Sequence, residues 1–447
     1  MLSKRSPGFP GERSLMTALA IDALGNGMYV PFSLVFFRHV TGLPLAVIGL
    51  VLTVTGLVGM AALPLVGAAV DRFGARRMQI ALHLVRAAGF AAYPLAPSLP
   101  AFAAVSLVTA VATRGYPAVQ QARIGELTSG AGLERVNALG RSLANAGLGA
   151  GSLLAALLVG LAGDRGYTVA ALLNAASFLA AAALVRRVPE PTEGTGATEG
   201  GPGTEGTGAT EGGPGTEGTA ATGATGAARR GSGQPGYRAV LGDRPFLGLA
   251  TANLLISLGY TSLAVLLPVY VTGVLHASAS LAGLAFAVNT VLCAALGVPA
   301  GLAVRRFATR NRAAATGAAL FAAGFLVQAL LVPAAGRFTT AGLLAVVVVV
   351  TLGEIVHNPA ASALVTATAP AAVRGRYLAA YQLSWSLSAA LAPSLLTGLL
   401  ALDTRLPWLV LAAATLAGAG LLLRLERRLP AEAVRPEARR PALATAA

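Results

Sequence analysis

Four charged residues lie deep within the apolar stretches of this 447-residue chain, away from their ends: Asp22, Arg86, Arg114 and Glu354. A charge within a stretch long enough to cross a membrane is costly, so by default such a residue is either functional or paired. At a rise of about 1.5 Å per helical residue, all four are expected at a similar depth, roughly 10–15 Å from one edge of the membrane. Two acids and two bases at one level can neutralise each other, so mutual pairing is the alternative to a functional role.

Glu354 is the clearest functional candidate. It lies in the stretch LGEIVHNPAASA, where His357 and Asn358 follow about one helical turn later and Pro359 frees a backbone carbonyl on the same face. A carboxyl group in such a poorly hydrated place can load and release a proton near neutral pH. We therefore predict that Glu354 carries a proton or binds a ligand, and that His357 is either a proton relay or a packed hydrogen-bonding residue.

Asp22 is the second candidate for protonation. It lies in the stretch IDALGNGMYVPF, with Asn26 one turn later on the same helical face. Gly25, Gly27 and Pro31 in the same stretch favour close packing or local unwinding.

The composition favours a membrane protein. Hydrophobic residues make up 55% of the chain and charged residues only 11%, with a mean hydropathy of +0.69, whereas a soluble protein of this length needs far more charge. The net charge of +15 does not indicate a nucleic-acid partner, since no dense basic run with interleaved aromatics occurs. The single cysteine, Cys293, excludes an internal disulfide, and neither a metal nor a cofactor is predicted.

Twelve stretches are long and apolar enough to cross a membrane as helices, which predicts an all-α membrane protein. In chain order, spans 1 to 12 cover residues 14–37, 45–70, 78–96, 100–122, 137–161, 167–185, 246–271, 280–304, 313–333, 339–363, 377–401 and 406–425. They divide the chain into an N-terminal bundle (1–185), a central linker (186–243), a C-terminal bundle (244–425) and a tail (426–447). In span 5, Gly147, Gly149 and Gly151 form a close-packing face.

The basic residues predict one orientation. Of the 33 Arg and Lys residues, 27 lie in or next to the segments on the side of the N-terminus, 4 lie on the other side and 2 lie inside spans. This bias places both termini in the cytoplasm. The linker repeats TEGTGATEGGPG at residues 192–203 and 204–215, a composition that cannot bury a core, so a disordered spacer is expected there and an unstructured polar tail after Arg424.

A charged loop motif occurs twice. GAAVDRFGARR at residues 67–77 joins spans 2 and 3, and GLAVRRFATRN at residues 301–311, 234 residues later, joins spans 8 and 9. Two related six-span halves around a linker are typical of a transporter built from repeats, whose site lies between the halves.

With this motif the chain resembles the major facilitator superfamily. GAAVDRFGARR matches the family signature Gly-x-x-x-Asp-Arg-x-Gly-x-Arg-Arg, and the resemblance covers essentially the whole chain. It implies twelve transmembrane helices in two pseudo-symmetric six-helix bundles. A glutamate followed by a proline in span 10 also looks like the drug:proton antiporter branch, in which such an acid contributes to coupling and to cation recognition.

The resemblance implies a charge latch that closes the cytoplasmic side in one state and breaks in the other. The expected gate residues are Gly67, Asp71, Arg72, Gly74, Arg76 and Arg77 in the first copy, and Arg306 and Arg310 in the second. Gly67 lets two helices approach closely, Gly74 permits a tight turn, and Asp71 accepts hydrogen bonds from a helix N-terminus or an arginine. Anchoring at the inner surface is the alternative for the basic residues. Arg305 replaces the acid in the second copy, so that half is expected to lack the latch.

The family's architecture also bears on the charges within spans. First helices line the cavity, which favours a role for Asp22, whereas third helices are peripheral, which favours pairing for Arg86. Arg86 and Arg114 are therefore the expected intramembrane charge partners.

We predict a monomeric secondary transporter of a bacterial inner membrane that exports small amphipathic or cationic compounds in exchange for protons by alternating access. Proton symport or facilitated uptake of a sugar or metabolite is the alternative, and a hydrogen-bonding cavity would favour it. A membrane enzyme or receptor is a remote third possibility, because no nucleophile–base pair, metal cluster or phosphate loop occurs. The expected partners are the bilayer, protons and a small-molecule substrate.

Overall fold

The computed structural model describes residues 9–128, 130–189, 237–304, 306–331, 339–370 and 373–435, and these residues are helical with no β-strand. Within them, nine helices are long and apolar enough to cross a membrane, or eleven when each of two bent helix pairs counts as one span. The helix of span 3 carries three arginines and lies outside that set. The predicted all-α membrane fold is confirmed.

The helices of the N-terminal half are Glu12–Tyr29 and Ser33–Thr41 (span 1), Leu45–Ala61 and Leu63–Phe73 (span 2), Ala75–Ala92 (span 3), Leu99–Leu127 (span 4), Gly130–Ala162 (span 5) and Asp164–Arg186 (span 6). Those of the C-terminal half are Arg244–Val265 and Leu267–Gly273 (span 7), Ala279–Val304 (span 8), Arg310–Leu331 (span 9), Thr339–Thr368 (span 10), Arg374–Leu402 (span 11) and Leu406–Leu425 (span 12). Two short helices, Tyr237–Gly242 and Ala431–Val434, flank the second set.

Spans 1, 2 and 7 are each broken close to a proline, namely Pro31, Pro64 and Pro268. Proline lacks the backbone N–H that would continue the helical ladder, so a break there loses little. The two pieces of span 1 meet at 58° and those of span 2 at 45°. Elsewhere the apolar runs are continuous helices, because a helix satisfies its backbone groups internally where water is absent.

The two halves pack in the same way. In the N-terminal half, span 1 packs against spans 5 and 6, span 3 against spans 4 and 6, and span 2 against span 4. The C-terminal half repeats this pattern with each span number raised by six. Between the halves, span 2 packs against span 11 and span 5 against span 8, which we call the 2/11 seam and the 5/8 seam.

Both seams are tight toward one end of the bundle. Along the 2/11 seam, Gly49 meets Thr397, Thr53 accepts a 3.1 Å hydrogen bond from the Ser394 amide, and Gly56 meets Ala390. Along the 5/8 seam, Gly149 meets Thr290 and Gly283 meets Ala156. The break Val30–Phe32 in span 1 also contacts spans 7 and 8 at this end. We call it the far side, and the opposite end, where residues 9–11 and 426–435 lie, the tail side.

Toward the tail side the seams are open. A methyl group added to Gly67, in the tail-side piece of span 2, would meet nothing within 4 Å. The same holds for Gly297, two turns beyond Thr290 on span 8. Leu383, two turns from Ala390 on the seam face of span 11, is 56% exposed. A cleft therefore runs from the tail side to the level of Gly56 and Thr290.

The residues after span 12 differ from the sequence-based expectation. The tail after Arg424 was expected to be unstructured, but residues 426–435 are described and end in the helix Ala431–Val434. Leu429, Ala433 and Val434 are buried, because they pack against the tail-side ends of spans 9 and 10. Most of the predicted linker, residues 190–236, lies outside the described residues.

Candidate functional site

The Glu354 carboxyl group lies between spans 10 and 8 and is 6% exposed. Its Oε2 accepts a 2.9 Å hydrogen bond from Asn289 Nδ2, and Cys293 Sγ lies 3.4 Å from its Oε1. Within the described part of the chain, no basic side chain forms an ion pair with it. Glu354 is thus a buried carboxyl group with two neutral donors and, among the described residues, no counter-ion.

Thr351 sets the orientation of the Asn289 amide. The Thr351 hydroxyl donates to the Val347 carbonyl at 2.7 Å, which leaves its oxygen to accept from Asn289 Nδ2 at 3.1 Å. The amide NH₂ group therefore points at both Thr351 and Glu354. Asn289 is next to Thr290, which contacts Gly149 across the 5/8 seam. The Glu354 carboxyl group therefore lies beside this seam, at the level where the cleft ends.

Aromatic side chains border this site. Tyr260 of span 7 has its hydroxyl 3.5 Å from the Glu354 backbone oxygen. Its ring packs 4.8 Å from Trp385 of span 11 and 4.8 Å from Phe321 of span 9. Tyr260 and Trp385 are only half-buried, so they offer apolar, polarisable surface near the backbone of Glu354.

His357 follows Glu354 by one turn but contacts a different neighbour. Its Nδ1 lies 3.0 Å from the Ala314 carbonyl of span 9, and the side chain is 1% exposed. It lines a cavity of about 10 Å³ together with Asn253 and Tyr381, which is room for one water molecule. Asn358 is half-buried in the same turn. Glu354 and His357, expected on one helical face, therefore have separate hydrogen-bonding surroundings.

Asp22 belongs to an ion pair inside the N-terminal half. Arg86 NH1 donates to Asp22 Oδ1 at 2.9 Å, and Arg86 NH2 donates to Asn26 Oδ1 at 3.1 Å. Asn26 Nδ2 in turn donates to Asp22 Oδ2 at 3.0 Å. Asp22 is 8% exposed and Arg86 is 2% exposed. The three side chains form a closed, buried triangle that joins spans 1 and 3.

Aromatic rings complete this cluster. The Arg86 guanidinium lies 3.9 Å from the ring centre of Phe178 and 4.7 Å from that of Tyr116, so cation–π contacts cover it from two spans. His83 is fully buried, with Nδ1 3.7 Å from Asp22 Oδ1. The sequence analysis did not single out His83, although its position one turn before Arg86 was a usable signal.

Arg114 lies at the inner end of the cleft. A methyl group on Gly56 would be 3.7 Å from Arg114 NH2 and 3.8 Å from Ala390 Cβ, so the guanidinium borders the 2/11 seam. Glu354 borders the 5/8 seam in the other half. The structure therefore pairs Asp22 with Arg86, leaves Arg114 and Glu354 beside different seams, and does not join Asp22 to Glu354.

The first copy of the loop motif is largely open. Asp71, Arg72 and Arg77 are exposed, and no described side chain hydrogen-bonds to Asp71. Gly74 has a φ of 82° and provides the expected turn into span 3. The close helix approach expected at Gly67 is absent in this conformation, because the cleft is open there.

Arg76, in the same motif copy, forms a hydrogen bond within the N-terminal half. Its NH2 donates to the Arg186 carbonyl at the end of span 6, at 2.6 Å. Arg123, one residue beyond the predicted end of span 4, is 1% exposed and donates to the Pro189 carbonyl at 2.8 Å. Span 4 runs five residues beyond its predicted end, which carries Arg123 into the packed interior.

The second copy of the motif is engaged with the C-terminal segment. Arg310, at the position equivalent to Arg76, donates from NH1 to the Ala433 carbonyl at 3.0 Å. Asn311 Nδ2 donates to the Leu422 carbonyl at 2.8 Å. Arg306 is exposed, and Arg305, the residue in place of the acid, lies outside the described residues.

No group of three or more metal-ligating His, Cys, Asp or Glu side chains occurs among the described residues. The arrangement contains one buried acid that is neutralised, Asp22 with Arg86, and one buried acid held by neutral donors, Glu354 with Asn289 and Cys293.

A family model described as Major Facilitator Superfamily matches residues 15–274 and 249–446. No curated protein matches the chain significantly.

Three solved structures give the fold comparison. The nucleoside transporter NupG is 13% identical, with 93% of this chain and 98% of that chain covered and a TM-score of 0.64. A bacterial homologue of the iron transporter ferroportin in its inward-facing state is 14% identical, with 93% and 98% covered and a TM-score of 0.68. An outward-facing structure described in the same words is 15% identical, with 94% and 100% covered and a TM-score of 0.57. At these identities the likeness concerns the fold.

Proposed function

Because the chain belongs to the major facilitator superfamily, a family of secondary transporters, we propose that it exports small amphipathic or cationic compounds in exchange for protons. Glu354 is the group that proton and substrate share. The assignment to the drug:proton antiporter branch is also part of this proposal, since the solved structures compared above are described as a nucleoside transporter and a homologue of an iron transporter.

The observation that carries the proposal is the absence of a counter-ion at Glu354 within the described residues. A buried carboxylate without a cation is strongly disfavoured, so the site favours one of two occupants that remove the uncompensated charge. One is a proton and the other is a cationic substrate. Competition between them for one carboxyl group is what exchange transport requires.

The neighbours of Glu354 suit an amphipathic cation. Asn289 and Cys293 hold both carboxylate oxygens without neutralising them. Tyr260, whose hydroxyl lies 3.5 Å from the Glu354 backbone oxygen, and Trp385, packed on its ring, add aromatic surface at this turn of span 10, and aromatic rings attract both apolar groups and cations. The chemical class of substrate follows from this combination of one acid and several rings.

The open tail side supports alternating access. The arginine bias favours a cytoplasmic tail side in a bacterial inner membrane, so the cleft is accessible from the cytoplasm and the conformation is inward-facing. The higher TM-score against the inward-facing than against the outward-facing ferroportin homologue agrees with this assignment. In this conformation the cytoplasmic latch is then open, and the exposed Asp71 is one of its residues.

The test uses everted membrane vesicles with an acidic interior and a fluorescent pH probe. Lipophilic monovalent cations such as tetraphenylphosphonium, added outside, should collapse the gradient when the wild-type protein is present. Glu354→Gln should abolish this response while folded yield stays normal. It should weaken binding of cations, yet still permit downhill exchange of a neutral substrate.

Asp22→Asn is the matched control, because it neutralises an acid that already has a cation partner. Its transport per folded molecule should fall far less than that of Glu354→Gln. Full pH-driven transport by Glu354→Gln would end the coupling role of Glu354. Proton-driven accumulation of a sugar or metabolite in right-side-out vesicles, with no response to cations, would favour uptake instead.

A further inference from the structure

The small cavity at His357 lies between spans 7, 10, 11 and 12, on the tail side of Glu354. Its volume of about 10 Å³ is room for one water molecule and for nothing larger. The wall is apolar except at three side chains, Asn253, His357 and Tyr381. A cavity of this size stays dry when its wall is apolar throughout and holds a water where polar groups converge. The polar atoms of these three residues therefore decide what the cavity contains.

His357 presents an unused acceptor to this cavity. Its Nδ1 lies 3.0 Å from the Ala314 carbonyl, and because a carbonyl oxygen only accepts, this contact requires the proton on Nδ1. In the neutral ring Nε2 is then a bare lone pair. It is buried and has no hydrogen-bond partner among the described residues. Burying an acceptor without a donor is unfavourable, so Nε2 requires a donor from the cavity.

Asn253 and Tyr381 complete the set of polar partners. The Tyr381 hydroxyl donates to Asn253 Oδ1 at 2.7 Å, and Asn253 Nδ2 donates to the Ser384 hydroxyl at 2.6 Å. Ser384 in turn donates to the Tyr381 carbonyl at 2.6 Å. These bonds use one of the two hydrogens on Asn253 Nδ2 and none of the lone pairs of the Tyr381 hydroxyl. One donor and one acceptor are therefore left for a guest in the cavity.

From this arrangement we infer that one water molecule occupies the cavity, where it donates to His357 Nε2 and to Tyr381 Oη and accepts from the Asn253 amide. Three partners are the usual number for a buried water. The water supplies the donor that no described side chain brings to Nε2. Both nitrogens of the His357 ring are then fixed by hydrogen bonds, so His357 is a packed hydrogen-bonding residue and not a proton relay.

The water site has a specific position beside the aromatic surface. Asn253 lies two turns before Tyr260 on span 7, and Tyr381 lies one turn before Trp385 on span 11. The rings of Tyr260 and Trp385 pack 4.8 Å apart, and the Tyr260 ring lies 6.0 Å from that of His357. A water bound to spans 7, 10 and 11 at once holds these rings against span 10. His357 is thereby a positioning residue for the aromatic surface.

The first experiment locates the water in the full chain. A structure at a resolution that shows ordered water should contain one density peak within hydrogen-bonding distance of both His357 Nε2 and Tyr381 Oη. An empty cavity, in a map that shows other internal waters, would overturn the inference.

Nitrogen NMR of the full chain tests the same site without a density map. The chain has four histidines, and the His357 signals are those that disappear in His357→Gln. We expect a protonated Nδ1 and an unprotonated, hydrogen-bonded Nε2. A proton on Nε2 would overturn the role of this atom as the acceptor for water.

The positioning role is tested with two variants of His357. His357→Gln can bring its amide oxygen to the place of Nε2 and keeps an acceptor for the water, whereas His357→Asn keeps a donor near the place of Nδ1 and loses that acceptor. The readout is the fluorescence of Trp385 in a Trp408→Phe background, since the chain has only two tryptophans. His357→Asn should shift the emission maximum to longer wavelength, and His357→Gln should leave it close to that of the parent.

The bond to Ala314 predicts the opposite order, because His357→Asn preserves it and His357→Gln does not. A shift in His357→Gln as large as that in His357→Asn or larger, or no shift in either, would overturn the positioning role. These readouts need no transported compound. Full pH-driven transport by Glu354→Gln would therefore defeat the proposed function and leave the water site in place, whereas an empty cavity would leave the coupling role of Glu354 intact.

Discussion

The two halves share one packing pattern but treat charge in opposite ways. The N-terminal half buries Asp22 with Arg86 and Asn26, and cation–π contacts cover the arginine. The C-terminal half buries Glu354 with neutral donors and no cation among the described residues. A neutralised pair stabilises one arrangement, whereas an unpaired carboxyl group needs a proton or a cationic ligand. Under the proposed function, the acid of the N-terminal half is structural and the acid of the C-terminal half carries the exchange.

The two copies of the loop motif also differ, because the N-terminal copy is more exposed than the C-terminal copy. In the first copy Asp71, Arg72 and Arg77 are exposed, so this loop is available to meet the other half. In the second copy Arg310 and Asn311 bind carbonyl groups at the C-terminal end of the chain. The repeat has therefore kept the loop, but its side chains are exposed in one half and bound to neighbouring main chain in the other.

Arg86→Leu should have the largest effect on folding, and it tests most directly the difference between the paired Asp22 and Glu354. It leaves the Asp22 carboxylate buried without its cation, and breaking a buried pair on one side costs about 3–5 kcal/mol. We expect a collapsed folded yield and a lower midpoint of thermal unfolding in detergent. Glu354→Gln, which removes an acid that has no cationic partner among the described residues, should change neither.

The matched double variant Asp22→Leu with Arg86→Leu removes the whole pair. Replacing both members of a buried ion pair with apolar residues is often close to neutral for stability, so most of the folded yield should return. If the double variant folds no better than Arg86→Leu alone, the Asp22–Arg86 pair is not what the arginine stabilises.

Asn289→Lys would remove the difference between the two buried acids, because it would place a permanent cation beside Glu354. The asparagine amide already lies 2.9 Å from Glu354 Oε2, so a lysine ammonium at this position can reach the carboxylate. We expect normal folded yield and loss of pH-driven transport, because a paired carboxylate no longer takes up a proton. Asn289→Gln keeps an amide and serves as the control. Wild-type coupling in the lysine variant would mean that Glu354 need not be unpaired.

Asp71→Asn should have a moderate effect that is confined to conformation. It keeps the size of the side chain but loses the charge-assisted hydrogen bonds of the closed gate. We expect normal insertion, slower transport and a population shifted toward the tail-open state. Cysteine labelling on both faces measures that shift, with Asp164→Asn on the far side as the control. Identical labelling of Asp71→Asn and wild type would make Asp71 an ordinary loop residue.

Arg310→Ala should have the smallest effect, because it removes hydrogen bonds to the C-terminal segment, each worth about 0.5–1.5 kcal/mol. The midpoint of thermal unfolding should drop slightly in the full chain and not at all in a chain truncated after Leu425. Arg427→Ala, an exposed residue of the same segment, is the control. An equal drop in the full and truncated chains would show that Arg310 acts elsewhere.

The sequence alone determined the elements and their general arrangement. Runs of about 20 apolar residues have few alternatives to a membrane-spanning helix, and a repeated loop motif at a spacing of 234 residues indicated two related halves. It also placed Asp22 and Arg86 at a similar depth, which made their pairing an open alternative. These features follow from composition and period, which are local properties of a chain.

Tertiary structure decided which neighbours each side chain has. Glu354 and His357 are one helical turn apart, yet Glu354 hydrogen-bonds to span 8 and His357 to span 9. The apolar residues Leu429 and Val434 are buried only because spans 9 and 10 offer a surface to cover them. The register of the 2/11 seam and the side on which the cleft opens depend on how two rigid halves are rotated against each other. No local pattern encodes that rotation, because it depends on contacts between residues that are far apart in the sequence.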